Sequence, residues 1–410
     1  MDEKIAVVGL GNAGLPLAAV IADSGIEVTG VDINSERCDL INRGINPLKE
    51  EPGLDELIGK YGGRSFKATA DIKNASSCNT FIVIVPLFID RDYNPDFRTL
   101  ESAIKGIGSV LKPGDLVVLE TTVPPGTTDN LARAWLEETS GMEASQFGLA
   151  YSPERIMTGY SISRFREFPK VVGGTDDESG KKAFAVYSKF VKSLNVVSSA
   201  RVAEFIKVIE GCYRDANIAL ANELFKISDN LGIDFYEARE YANHQYCHIH
   251  LPSTGVGGHC IPVYPWFLIK EMERREKFDD ARLLRTSREL NDEMIEFCAE
   301  KIMLNCLKID KPLKDIAICI SGLSYRRGVK EIHHSRNLAL ARLLVDKGLK
   351  VYAWDELLGK AGVENLGLRY LEPEKADLAF DTSGLKFGSS GKFAGKEKMS
   401  KTSEGPVCRC

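Results

Sequence analysis

The stretch KIAVVGLGNAGLPLAAVIADSGIEVTGVD, residues 4–32, decides the fold of this chain. Its first six residues form a short apolar run of strand character, LGNAGLPLAAVIADSG reads as a helix, and IEVTGVD is a second strand, so together they spell a βαβ unit. At the first turn Gly9, Gly11 and Gly14 stand in G-x-G-x-x-G spacing. In that pattern the first glycine makes the tight turn, the second lets the backbone approach a pyrophosphate, and the third permits close helix–strand packing. The spacing alone is a weak signal. Its context raises it: a strand precedes, a helix N-terminus able to hold phosphate follows, and Asp32 closes the next strand. These features predict dinucleotide binding. An aspartate there accepts hydrogen bonds from ribose hydroxyls and repels a 2′-phosphate, which favours NAD over NADP. The nearby Arg37 leaves two pairings open, with a pyrophosphate or with a 2′-phosphate.

The rest of the chain sets bounds. Its 410 residues suggest two to four domains at roughly 100 to 200 residues each. With 53 Lys and Arg against 58 Asp and Glu, the net charge of −5 gives no general attraction to nucleic acid or to an anionic membrane. No run approaches about 18 consecutive apolar residues, and MDEKIAVVG enters a strand without a signal-peptide pattern, so a cytoplasmic protein is expected. The ten cysteines lack a paired framework apart from a terminal C-x-C and read as reduced thiols.

Further strands are predicted at 80–86, 115–128, 147–156 and 169–174, each ending at the carboxyl edge where open α/β sheets bind ligands. Thr121, Thr122, Glu154 and Arg155 sit just past those strand ends. From about 199 the pattern changes to long helices. Lys207, Gly211 and Arg214 recur there at i, i+4 and i+7 and share one face. A glycine inside a helix costs about 1 kcal/mol against alanine, which points to close approach of another backbone or a ligand at Gly211. Near 313 the βαβ grammar returns in LKDIAICISGLSY, SRNLALARLLVDKG and LKVYAWD. After Asp355 only LRYL and ADLAF read as strands, so this second sheet is expected to stop early. Residues 379–410, rich in Gly, Ser and Lys, are expected to be a disordered tail.

GVGGHCIPVYPW, residues 255–266, poses a separate question. Cys260 reads in three ways: as a metal ligand with His244, Cys247, His248, His250 and His259, as a structural thiol, or as a nucleophile. The surrounding glycines permit close substrate approach, and a neighbouring cation would favour the reactive thiolate, so the nucleophile is the stronger reading. NAD together with a cysteine nucleophile points to oxidation through a covalent thiohemiacetal.

Six ordered segments, GLGNAGLP, TTVPPGTT, SPERIMTG, AEFIKVIEGCYRDANIALANE, GVGGHCIPVYPW and GLSYRRGVKEIHHS, make the chain resemble the UDP-sugar and GDP-mannose dehydrogenase family over about residues 1–357. The resemblance implies an α/β protein with an N-terminal Rossmann domain (1–198) and a central helical dimerisation region (199–300). A C-terminal Rossmann-like UDP-binding domain (301–378), expected to be incomplete, would precede the tail. It implies oxidation of a sugar C6 hydroxymethyl to a carboxylate with NAD, in a homodimer or higher oligomer. SPER and GGHCIPV resemble the UDP-N-acetylhexosamine branch, and PWF leans toward N-acetylmannosamine over N-acetylglucosamine or glucose. By the same resemblance Cys260 is the nucleophile, Lys207 takes the alcohol proton, and Glu154 and Thr122 serve the hydrolytic water. NAD contacts are expected from Gly9, Gly11, Asn12, Ala13, Gly14, Asp32, Arg37, Pro86, Leu87, Thr121 and Thr122. The sugar nucleotide would meet Arg155, Ile156, Lys207, Gly211, Arg214, His244, Gly257, Tyr325, Arg326 and His333.

The chain also departs from the family pattern. Gly211 stands where most relatives have asparagine, Tyr264 where they have aspartate, and His333 where an arginine reaches UDP. VPLF at 85–88 replaces a threonine-containing loop. An active oxidoreductase and a non-catalytic sugar-nucleotide binder therefore both remain open, with a zinc hydrolase a distant third.

Overall fold

A computed structural model describes residues 3–48, 51–155, 161–324, 332 and 334–389. Two compact units emerge, Met1–Glu210 with Trp266–Arg274, and Gly211–Pro265 with Arg275–Cys410. The first runs β1 (Lys4–Val8), α1 (Gly14–Asp23), β2 (Glu27–Val31), α2 (Ser35–Asn42), α3 (Leu54–Tyr61), β3 (Phe66–Thr69) and β4 (Thr80–Val83). It continues through a hairpin of β5 (Phe88–Ile89) and β6 (Pro95–Asp96), then α4 (Arg98–Gly108), β7 (Leu116–Leu119), α5 (Arg133–Ser140) and β8 (Gly148–Tyr151). The elements α6 (Ser161–Glu167), β9 (Lys170–Gly174), α7 (Asp177–Tyr187) and β10 (Leu194–Val196) complete its sheet.

Eight strands pair in the order β10-β9-β8-β7-β4-β1-β2-β3. All neighbours are parallel except β8 and β9. The order reverses between β1 and β4, which opens a crevice at their carboxyl ends. Strand β1 explains why its sequence is continuously apolar: Ile5 and Val7 join one core, Ala6 and Val8 the other, so both faces are covered.

Helix α8 (Ala200–Leu231) begins in the first unit, and its residues from Gly211 onward belong to the second. There follow α9 (Phe235–Ala242), α10 (Tyr264–Arg274), α11 (Arg282–Cys306), β11 (Ile318–Ser321), α12 (Arg336–Asp346), β12 (Val351–Trp354) and α13 (Gly359–Asn365). The strands β13 (Arg369–Tyr370), β14 (Leu378–Asp381) and β15 (Lys386–Ser389) end the described chain. The five strands pair as β13-β12-β11-β14-β15, parallel apart from β14 with β15. This corrects the expected start of a tail at 379: residues 379–381 continue β14, and 386–389 add an antiparallel edge strand. LRYL and ADLAF contain β13 and β14, as the sequence suggested.

Candidate active site

The glycine turn after β1 has the geometry that a dinucleotide requires. Gly9 has φ +98°, and a Cβ there would lie 2.5 Å from the Ile84 carbonyl oxygen. Its N–H donates to Val31 O at 2.8 Å, closing the turn between β1 and β2. At Gly14 a Cβ would lie 1.8 Å from Gly9 O, which is the close helix–strand packing expected of the third glycine. Gly11 differs: a Cβ there meets nothing within 4 Å. That open space lies beside the N-terminus of α1, where Ala13 offers no side-chain cap. The uncapped N–H groups and the clearance over Gly11 fit a pyrophosphate. Asn12 is exposed and Ala13 partly so.

The Asp32 carboxylate accepts from Leu10 N–H at 2.8 Å and Asn34 N–H at 2.9 Å, which holds it at the rim. Arg37 Nη1 donates to it at 3.0 Å. The guanidinium is thus engaged with Asp32, a partner the sequence reading did not consider. Pro86 is exposed and Leu87 half-buried just past β4, at the strand reversal. Beyond them the β5–β6 hairpin places Tyr93, with φ +64°, in a stack on Trp266 with ring centroids 3.9 Å apart.

Strands β7 and β8 are paired, and so they bring Thr121, Thr122, Glu154 and Arg155 to one edge. Thr121 Oγ1 donates to Val85 O at 2.8 Å and accepts from Val85 N–H at 3.0 Å, fastening this loop to the chain after β4. Arg155 pairs with Glu210 at 2.6 Å and donates to Pro169 O at 3.0 Å. Beneath this edge lie groups the sequence reading missed. Glu120, fully buried, accepts from Lys170 Nζ at 2.8 Å and from Tyr187 Oη at 2.5 Å. Lys170 Nζ also reaches Pro153 O at 3.4 Å. One buried ion pair therefore supports the residues directly before both Thr121 and Glu154. A polar residue closing an otherwise apolar strand was the available sign of Glu120.

A second hidden carboxylate is Glu204, on the first turns of α8. It accepts from Gly126 N–H at 2.5 Å, Thr128 N–H at 2.8 Å and Thr128 Oγ1 at 2.6 Å, pinning the TTVPPGTT loop one helical turn before Lys207. Burial outweighs these donors and raises its pKa to about 7. Tyr151 Oη is buried without a hydrogen-bond partner. Burial first, and then Glu204, Glu120, Glu154 and Glu210, push that phenol well above its ordinary range.

In the second unit a polar network seats the loop that carries Cys260. Arg288 donates to Asp215 at 2.6 Å, Asn291 Nδ2 to Asp215 at 3.0 Å, and Asn222 Nδ2 to Asn291 at 3.0 Å. Ser253 N–H then donates to Asn222 at 2.8 Å, and Thr254 Oγ1 to Asn337 at 2.5 Å. Gly255, with φ +103°, would place a Cβ 2.2 Å from Asn291 O, so this loop needs its glycine. Gly257 is half-buried, while His259 and Cys260 are exposed. Of the eight described cysteines only Cys260 is exposed. Burial raises the thiols of Cys212, Cys298 and Cys319 to about 12 and that of Cys306 to about 11, which makes them inert.

The remaining expected residues are placed as follows. His244 and Cys247 exchange backbone hydrogen bonds at 3.0 Å, and His244 Nδ1 accepts from Tyr246 N–H at 3.2 Å, so the imidazole closes a local turn. Among the described residues no three His, Cys, Asp or Glu side chains assemble as a metal site. Arg214 is half-buried with Nε lacking a hydrogen-bond partner, a donor available to an anionic ligand. At Gly211 the close neighbour is neither the expected backbone nor a ligand but the side-chain ring of Tyr264. Lys207 belongs to the first unit and Cys260 to the second. Ile156, Tyr325, Arg326 and His333 lie outside the described residues.

Comparison with known proteins is consistent with this geometry. The model of the UDP-glucose/GDP-mannose dehydrogenase family NAD-binding domain matches residues 3–191, and that of the family's central domain matches residues 201–293. The chain is 36% identical over 361 residues to a UDP-N-acetyl-D-mannosamine dehydrogenase of Methanocaldococcus jannaschii, covering 87% of this chain and 80% of that protein. It is also 36% identical over 357 residues to an NDP-N-acetyl-D-galactosaminuronic acid dehydrogenase of Ralstonia solanacearum, covering 85% and 81%. The solved structure of the UDP-D-ManNAc dehydrogenase from Pyrococcus horikoshii superposes with a TM-score of 0.83 at 32% identity, over 92% of this chain and 88% of that one.

Proposed function

Because the chain belongs to the UDP-glucose/GDP-mannose dehydrogenase family and is an NAD-dependent oxidoreductase acting on a UDP-sugar, we propose that it oxidises the C6 hydroxymethyl of a UDP-N-acetylhexosamine to the carboxylate through Cys260. N-acetylmannosamine is the favoured sugar, because several relatives carry that activity in their names. The observation that carries the mechanism is the contrast among thiols: Cys260 is exposed on a braced loop, while Cys212, Cys298, Cys306 and Cys319 are buried with raised pKa values.

Bound NAD would accept a hydride from C6 in each of two oxidations. It would be held by the turn at Gly9, Gly11, Asn12, Ala13 and Gly14, by Asp32, and by the segments at Pro86, Leu87, Thr121 and Thr122. In the first oxidation Lys207 takes the hydroxyl proton as the C6 hydride leaves, giving an aldehyde. Cys260 then gives up its thiol proton as its sulfur bonds to that carbon, and the aldehyde oxygen takes up a proton, so the thiohemiacetal forms with no net change in protons. Loss of a second hydride and of the hydroxyl proton leaves a thioester. Water held by Glu154 and Thr122 then attacks, the C–S bond breaks, and carboxylate and thiol are released. Arg214, with its unpartnered Nε, is the donor we assign to the nucleotide-sugar phosphates, with Arg155 and Gly257 beside the sugar.

We further assign a homodimer. Val202, Phe205, Ile209, Tyr213, Leu220, Ile227 and Leu231 recur at helical spacing along α8 and are all exposed, an apolar stripe suited to a second copy. No helix among the described residues is long and apolar enough to cross a membrane. A reducing cytoplasm suits the Cys260 chemistry. The decisive experiment compares UDP-N-acetylmannosamine, UDP-N-acetylglucosamine and UDP-glucose in wild type and Cys260→Ser, following NADH and the uronic acid. Serine is a weaker nucleophile without a dedicated base, so net acid formation is expected to fall on the order of 1000-fold with NAD binding retained. Wild-type rates of acid formation in Cys260→Ser would overturn the covalent route.

A further inference from the structure

Glycine 211 interrupts a 32-residue helix where alanine is the better helix former. The reason is local. A Cβ at Gly211 would lie 2.3 Å from Tyr264 Cδ2 and 3.0 Å from both its Cβ and its Cγ. The Tyr264 ring therefore occupies the notch that the missing side chain leaves on α8. Its backbone is fixed as well: Tyr264 N–H donates to Cys260 O at 3.1 Å, and Val263 N–H donates to the same oxygen at 3.0 Å. The turn from Cys260 to Tyr264 is thus held at one end by the carbonyl of the cysteine itself and at the other by a ring seated on α8. Cys260, exposed at its start, has no comparable burial of its own.

We propose that Tyr264 is a positioning residue for Cys260, and that Gly211 is glycine in order to admit its ring. The assignment rests on the reading of Cys260 as nucleophile. Neither residue needs to touch substrate. A ring displaced from the notch carries the Tyr264 backbone with it, and through the two hydrogen bonds to Cys260 O it shifts the thiol by a fraction of an ångström to an ångström. Reacting groups held near attack distance are sensitive to shifts of that size.

The test uses the sign of an ordinary substitution. Gly→Ala inside a helix normally stabilises. Here Gly211→Ala is expected to lower Tm in the wild-type background and to raise it in a Tyr264→Ala background, where the notch is vacant. The activity readout is kcat against KM. Gly211→Ala and Tyr264→Ala should each lower kcat by about 10- to 100-fold while leaving KM for NAD unchanged. Tyr264→Phe, which keeps the ring, should recover most of the kcat lost in Tyr264→Ala. Alkylation of Cys260 by iodoacetamide, read by peptide mass, should change in rate with Gly211→Ala and return toward wild type with Tyr264→Phe. If Gly211→Ala raises Tm in both backgrounds, or leaves kcat intact, the notch does not position the thiol. Failure of the Cys260 mechanism reads differently: Cys260→Ser would then keep forming acid, whatever the sign of the Tm shifts.

Discussion

The two βαβ turns of this molecule begin alike and end differently. In the first, Gly9 has φ +98°, donates to Val31 O at 2.8 Å, and is followed by Leu10 N–H donating to Asp32 at 2.8 Å. In the second, Gly322 has φ +87°, donates to Trp354 O at 2.8 Å, and is followed by Leu323 N–H donating to Asp355 at 2.8 Å. The glycine and the aspartate thus do the same local work in both: one turns the chain, the other ties the end of one strand to the next. The divergence comes after the turn. Helix α1 starts at Gly14, directly behind the glycine turn, with no side-chain cap from Ala13. Helix α12 starts at Arg336, with Ser335 Oγ accepting from Leu338 N–H at 3.2 Å. Asp355 is also more fully engaged than Asp32, accepting from Ser324, Leu357 and Leu358 N–H at 3.0 to 3.1 Å besides Leu323. A glycine turn with an aspartate is therefore a way to build the fold. What suits it to a dinucleotide is a helix that arrives early, directly behind the turn, with no side chain capping its N-terminus.

That contrast breaks most directly at Gly11. Alanine there adds a methyl that meets nothing within 4 Å in the protein, so Tm should stay at the wild-type value. If the pyrophosphate crosses that space, the same methyl collides with it, and NAD affinity should fall on the order of 1000-fold, about 4 kcal/mol. Calorimetric titration with NAD, beside a thermal melt, separates the two effects. Undiminished affinity would mean that the open space over Gly11 has another use.

The complementary change sharpens the other side. Asp355→Ala strips an acceptor from four backbone N–H groups and should destabilise by about 3 kcal/mol. The rise in Tm on adding NAD should nonetheless match that of wild type, because Asp355 serves structure. Loss of the NAD-linked rise would give the second turn a part in cofactor binding and dissolve the distinction.

Legibility in the sequence follows the same division. The first turn could be read because glycine spacing, strand, helix and aspartate fall within one short span, each reporting on the same local geometry. The exposure of Cys260 fits what its glycines and prolines suggested, a loop open to a ligand. Strand β15 could not be read: KFGS carries no alternation, and its order comes from antiparallel pairing with β14 and from Lys386 lying over the distant Tyr236 ring. Lys170 and Glu120 are separated by 50 residues, and nothing in either neighbourhood announces the ion pair. Gly211 signalled close packing but pointed to a backbone or a ligand; its partner lies beyond α9, so the ring of Tyr264 emerges only in three dimensions.

Glu204 offers the smallest test of how the two units use buried carboxylates. Like Asp355 it accepts backbone N–H groups, but it faces Asp129 from the turn it holds, with Tyr151 and Arg201 nearby, and burial raises its pKa to about 7. Its pKa is thus higher folded than unfolded, near 4.5. A raised pKa means that the protonated form is preferred in the folded state. The contribution is fully present below about pH 4.5 and is lost as pH rises through about 7. Between pH 8 and pH 7 wild type should therefore gain roughly 0.4 kcal/mol from this group. Glu204→Gln, unable to titrate, should lack that increment whatever its own stability, so the difference between the two denaturation midpoints is the quantity to follow. A difference that stays flat over this range would show Glu204 already ionised at pH 7, its three donors outweighing burial, and the carboxylates of the two units would then serve as caps of the same kind.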